Sequence, residues 1–263
     1  MKGFAPKLLL LIALAVRPMA AGAQDFGFEP PASATDSALP AALRDLAERI
    51  VPVYEDDDSD RYLLNLAALQ MVLGDPAAAH ATRLALRERL QGKQETRPVG
   101  RAMVYDIYTQ ARAAEATERV PFTSAYAETF RATLKGLDDL DAYDLEEWFV
   151  APTEPLRESL QRELDQRRGK TSIALEEALD LVRAWFAFEA YRSFAGIARP
   201  LLAEDKERRY VIDEEVVIRV SKDATIAATL ARPRSATAGG TLPTLLEFTL
   251  DRASRDAREA AAH

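Results

Sequence analysis

The stretch "TSIALEEALDLVRAWFAFEAYRSFAG", Thr171 to Gly196, decides the fold. Its residues Leu175, Ala178, Leu179, Val182, Trp185 and Phe186 recur at steps of three and four, the period of one face of an α-helix. Thr171 or Ser172 is placed to cap the N-terminus, Glu176 and Glu177 suit the positive end of the helix dipole, and Gly196 is the expected stop. Burying such a stripe contributes about 1.5–3 kcal/mol per large side chain, which outweighs the propensity differences along it.

The same patterning extends back to about residue 40 and forward to about Arg209, and predicts roughly seven to nine helices. "SDRYLLNLAALQMVLGD" (Ser59 to Asp75) has Ser59 or Asp60 as cap and Gly74 as stop. It is apolar nearly all round, which predicts a buried central helix. "PAAAHATRLALRERLQG" opens with Pro76 in its first turn and closes at Gly92. "GRAMVYDIYTQARAAEA" places Met103, Val104, Ile107, Tyr108 and Ala111 on one face. "NLAALQMVLGDPAAAHATRLAL" faintly resembles a tetratricopeptide unit, but stacked repeats need about three copies and no second copy recurs at a fixed period. An irregular α-helical domain is the expectation.

Composition narrows the function classes. The chain is 48% hydrophobic and 29% charged, with a net charge of −8, so it has a globular profile and repels nucleic acid. It contains no cysteine, which excludes thiol catalysis, a cysteine zinc site, disulfides and a lipoprotein anchor. The N-terminus reads as a targeting segment. Lys2 and Lys7 precede the apolar run "LLLLIALAV" (Leu8 to Val16), and Ala21-Gly22-Ala23 offers a small-residue cleavage site before Gln24. The apolar run is too short to span a bilayer. Residues 1–23 are therefore expected to be a signal peptide, the mature protein to be periplasmic or secreted, and the chain not to span a membrane after cleavage. Residues 24–39, rich in Pro, Ser and Ala, read as an unstructured linker.

Several local features invite a functional label. "YEDDDSD" (Tyr54 to Asp60) resembles a calcium loop, but counting from Asp56 puts Arg61 and Ala67 where an EF-hand needs glycine and glutamate. It reads as an acidic turn favouring the next helix, as does "GLDDLDAYDLEEW" (Gly136 to Trp148). The two histidines, His80 and His263, make neither a zinc site nor a triad. Trp148 and Trp185 sit at helical spacing and read as core. Ser193 lacks the glycine of a nucleophile elbow, and no phosphate-binding loop appears. No catalytic residue, cofactor or metal ligand is assigned.

The last fifty residues differ in kind. "YVIDEEVVIRV" (Tyr210 to Val220) and "ATIAATLARP" (Ala224 to Pro233) are β-branched runs with a short join at Ser221 to Asp223, which predicts an antiparallel hairpin. "LPTLLEFTL" (Leu242 to Leu250) reads as a strand buried on both faces, and "DRASRDAREAAAH" as a helix capped by Asp251.

This run, "EEVVIRVSKDATIAATLARP…LPTLLEFTLDR", resembles the opening of the α/β-hydrolase domain in the cocaine esterase and X-Pro dipeptidyl-peptidase family. The residues that carry the resemblance are Asp223, Leu230, Arg232, Pro233, Pro243, Leu245 and Leu246. Two positions depart from the family. Ala224 stands where its hairpin has glycine, and Leu250 where a tyrosine hydroxyl serves the oxyanion hole. Leucine has no side-chain donor, so a backbone N–H at Leu250 is the remaining oxyanion-loop candidate.

Helical periodicity predicts a mostly α chain with an irregular helical domain at 40–208, and the resemblance implies that 210–263 is the opening βββα segment of a truncated α/β-hydrolase fold. With the signal-like N-terminus, the resemblance implies an exported serine hydrolase acting on a small ester or peptide, whose serine, acid and histidine are missing here. A non-enzymatic exported helical binding module is the other reading.

Export is checked first. N-terminal sequencing of the protein from its native host is expected to begin at or near Gln24, and recovery with Met1 intact would overturn the signal-peptide reading.

Overall fold

The computed structural model describes residues 25–92, 100–222 and 224–234. Among these the chain is mostly helical, with eight α-helices and four short antiparallel strands. In order they are β1 (Asp25–Gly27), α1 (Leu39–Ile50), α2 (Ser59–Leu73), α3 (Pro76–Gly92), α4 (Arg101–Glu118), α5 (Phe122–Lys135), α6 (Asp139–Phe149), α7 (Glu154–Gln166), β2 (Ser172–Ala174), α8 (Leu175–Arg209), β3 (Tyr210–Arg219) and β4 (Thr225–Pro233). Contacts divide the chain into a helical unit that ends at Leu201 and a second unit that starts at Leu202. The segment Met1–Ala23, the strand expected at Leu242–Leu250 and the helix expected from Asp251 lie outside the described residues.

Helix boundaries follow local chemistry. Asp58 caps α2 by accepting from the N–H groups of Asp60 and Arg61, one residue before the caps the sequence suggests. Gly74 ends α2 at φ 80°, in the left-handed region, with Gly74 N–H donating to Met71 and Asp75 N–H to Gln70. Both helix-end carbonyls are thereby satisfied. Asp138 caps α6 through Asp141 N–H at 2.8 Å. Leu39, Leu43, Leu46, Ala47 and Ile50 are the buried face of α1.

Residues 25–39 are not the unstructured linker expected of them. Phe26 pairs with Ile173 in the β1–β2 ladder, and Phe26, Phe28, Ala34 and Leu39 are all buried. Two phenylalanines and a leucine in a Pro/Ser/Ala-rich stretch bury enough apolar surface to order it, which composition alone hides.

α8 departs from its predicted ends at both sides. Ser172 belongs to β2, so the helix starts at Leu175. Glu177 reaches back to accept from Ala174 N–H at 3.2 Å, the reciprocal half of a capping box. Lys170 bonds its other oxygen at 2.5 Å, and these two contacts hold the Glu177 carboxyl below its ordinary range. At the other end the helix runs through Gly196 and Pro200 to Arg209. Gly196 does not take the positive φ that Gly74 uses to stop α2. The apolar face continues with the buried Ala198 and Leu201, and burial there offsets the interior proline.

α8, rather than α2, is the enclosed helix of the unit. Ala178, Leu179, Leu181, Val182, Phe186, Phe188, Ala190, Tyr191 and Phe194 are all buried, on more than one face. α2 buries Ala67, Ala68, Leu69 and Val72 but leaves Leu64 at 42% exposure. Trp148 and Trp185 are half-buried, not core, as suits a side chain too large to enclose easily. An aromatic network fills the space between α4, α5, α6 and α8. Phe194 contacts Tyr191, Tyr126 and Phe149 at ring distances of 4.9, 5.4 and 5.9 Å. Tyr105 and Tyr108 reach Phe186, and Phe130 meets Phe149 edge-on at 5.0 Å.

In the second unit β3 and β4 form the antiparallel hairpin that the sequence predicts. A bulge between Asp213 and Val216 inserts one extra residue into β3. The turn closes with Val220 N–H and Ser221 N–H both donating to Ala224 C=O.

The network makes opposite predictions for two neighbouring rings. Phe194→Ala should lower unfolding stability by about 3–5 kcal/mol in a urea titration, by lost transfer energy and a cavity. The buried Tyr126 hydroxyl has no hydrogen-bond partner among the described residues, so Tyr126→Phe should be neutral or stabilising by about 1 kcal/mol.

Candidate functional site

Three carboxylates of the acidic turn at Tyr54 to Asp60 are engaged within the protein. Asp56 accepts from Arg61 at 2.6 and 2.8 Å, Asp58 caps α2, and Asp60 accepts from Arg89 at 2.9 Å. Arg61 above all holds the Asp56 carboxyl below its usual range. Among the described residues no cluster of three or more His, Asp or Glu side chains is arranged to hold a metal.

Ser193 sits in the middle of α8, not on a turn. Its hydroxyl lies 2.7 Å from Glu189 C=O, to which it donates, and accepts from Arg112 Nη2 at 2.9 Å. Arg112 also donates to Glu115 at 2.9 Å and to the Tyr108 hydroxyl at 3.3 Å, and its guanidinium lies 4.0 Å from the Phe122 ring centre. Burial raises the Tyr108 pKa, which keeps its hydroxyl protonated. This group ties α4 to α8, and its serine is engaged by a backbone carbonyl of its own helix and by an arginine rather than by an imidazole. Leu250 and His263 lie outside the described residues.

A second polar chain joins α8 to α2. Arg183 donates to Asn65 Oδ1 at 2.7 Å, Asn65 Nδ2 donates to the Tyr54 hydroxyl at 2.8 Å, and that hydroxyl donates to Asp56 at 3.3 Å. Tyr54 stacks on Tyr62 with ring centres 5.2 Å apart.

Among the described residues, two arginines and an aspartate converge at the seam between α3 and α4. Arg83 donates to Asp106 Oδ1 at 2.5 Å and to Ala102 C=O at 2.7 Å. Arg87 donates twice to Asp106 Oδ2, at 2.8 and 2.5 Å. The Arg83 and Asp106 side chains are only 3% and 4% exposed. Two arginines converging on one carboxylate form strong charge-assisted bonds, with Arg83 and Asp106 enclosed and Arg87 at the partly exposed rim. His80 sits beside them on α3, with a buried Nδ1 that has no partner among the described residues. Burial first of all lowers its pKa.

Sequence reading passed over Arg83, Asp106, Arg112 and Asn65. Their signal was present as polar residues placed on apolar stripes. Arg83 falls between Ala79 and Leu86 at helical spacing, and Asp106 follows Met103 by three. No protein-family model matches the chain, and no curated protein or solved structure matches it.

Removing the shared carboxylate strands two cations. Asp106→Ala should cost about 3–5 kcal/mol of unfolding stability, whereas replacing all three charges by apolar residues, Arg83→Met and Arg87→Met with Asp106→Leu, should recover most of that loss in the same denaturant titration.

Proposed function

We propose that this chain is the N-terminal portion of an exported serine hydrolase, esterase-like or X-Pro peptidase-like, acting on a small ester or peptide. The observation that supports the reading is the β3–β4 hairpin. Among the described residues it is a two-stranded sheet by itself. Ile212, Val217, Ile218, Val220 and Leu230 on or next to it are between 44% and 68% exposed. A two-stranded ribbon is marginal in water, and apolar side chains on an open ribbon call for more sheet. In this proposal Leu242–Leu250 supplies the next strand, and 210–263 is the βββα opening of an α/β-hydrolase fold. The serine, histidine and acid belong to the rest of that domain, and the Leu250 backbone N–H is the contribution of this segment to an oxyanion loop.

In this proposal the signal-like N-terminus directs the protein to the periplasm or outside the cell. No helix among the described residues is long and apolar enough to cross a membrane. The antiparallel packing of α2 on α3, in the stretch with the tetratricopeptide-like pattern, favours the second reading, a non-enzymatic exported helical binding module.

Two measurements test the proposal. Continuation of the native reading frame into a strand and a G-x-S-x-G elbow supports the hydrolase, and a native stop codon directly after His263 favours the binding module. The purified chain alone is expected to show no turnover of activated esters or X-Pro substrates and no labelling by a fluorophosphonate. Stoichiometric labelling of one serine, abolished by its change to alanine, would show that the chain holds its own nucleophile.

A further inference from the structure

His80 lies on α3 one helical turn before Arg83 and two turns before Arg87. Its Nδ1 is buried without a hydrogen-bond partner among the described residues. The charged groups that bear on the imidazole are Asp106 from α4 and Arg83 and Arg87 from its own helix. Both Asp106 oxygens are already taken by the two arginines. α2, which also packs on α3, brings Asp60, held by Arg89 toward the other end of α3, and the neutral Gln70, which accepts from Thr82. The seam thus holds two cations against one anion before His80 is counted. A neutral ring costs it one unbonded nitrogen. A protonated ring would add a buried N–H with no acceptor and a third positive charge.

We propose that the α3–α4 seam is an acid-sensitive latch, closed while His80 is neutral and loosened when His80 takes a proton. Protonation makes the arginines and the imidazolium compete for Asp106, and the seam relieves this by opening to water. The folded protein binds the proton less readily than the unfolded chain. The stabilisation is therefore complete above the unfolded pKa of about 6.5, and is lost as pH falls from there through the lower folded value. The chain has two histidines, so His80 is the one imidazole of the helical unit, and most carboxylates remain ionised through this window.

The test uses the full chain. Imidazole C–H resonances are followed by NMR across the titration, with His80→Gln for assignment. His80 is expected to titrate below about 6.5. Thermal melts at about pH 7.5 and about pH 5.5 should differ by about 3–6 °C in the wild type and in His263→Gln, and by less than about a third of that in His80→Gln. Hydrogen exchange at the lower pH, corrected for intrinsic rates, should accelerate in α3 and α4 more than in α8. Titration of His80 at or above its ordinary value would overturn the latch, and the wild-type spectrum decides this even if the glutamine variant folds poorly. So would an unchanged pH dependence in His80→Gln, or acceleration spread evenly over the helices.

Discussion

Phe194 is the ring on which the helical unit closes. It stacks on Tyr126 from α5, leans on Tyr191 of its own helix and meets Phe149 from α6 edge-on. Through Tyr191 the contacts pass to Tyr105, and through Tyr105 to Phe186. Offset and edge-on rings have preferred geometries that aliphatic side chains lack. A helix packed through such rings has few alternative rotations about its axis. Because α8 supplies Phe186, Tyr191 and Phe194, α4, α5 and α6 take their positions relative to it.

Arginine does for the polar seams what the rings do for the core. Arg83, Arg112, Arg167 and Arg183 each bond across elements, and in each case the planar fork engages more than one acceptor. Arg167, 1% exposed, donates to Glu163 and to the backbone carbonyl of Glu177, joining the end of α7 to the first turn of α8. One of its bonds takes up a carbonyl that the α7 terminus leaves open. Lysine, a point charge on a flexible stem, would not hold two helices at a fixed register in this way. Buried pairs of this kind add little net stability, but removing one partner is costly because it leaves an uncompensated charge.

The parts of the fold legible in the sequence were those written as periodicity. The α4 face Met103, Val104, Ile107, Tyr108 and Ala111 is buried as spaced, and the hairpin at 210–233 forms where the β-branched runs lie. Punctuation was read less well. Gly74 stops a helix because its φ is positive, and Gly196 does not because its φ is helical, yet both are the same letter. Residues 25–39 looked like a linker because their two phenylalanines find their neighbours far along the chain. The charged seam was hidden for a related reason. Whether Arg83 points to water or to Asp106 depends on α4 lying beside α3, and nothing within α3 encodes that.

The three-residue ladder between β1 and β2 carries a kinetic consequence. Its register joins Asp25 to Ala174, so the loop it closes contains seven of the eight α-helices among the described residues. Contacts between residues so distant in sequence form late, after the local helix pairs have assembled. During synthesis Phe26 leaves the ribosome before all the described helices, and its ring has no strand partner until Ile173 follows. The first strand among the described residues is thus among the last to be placed, and it acts as a clasp between the segment ahead of α1 and the residues that lead into α8.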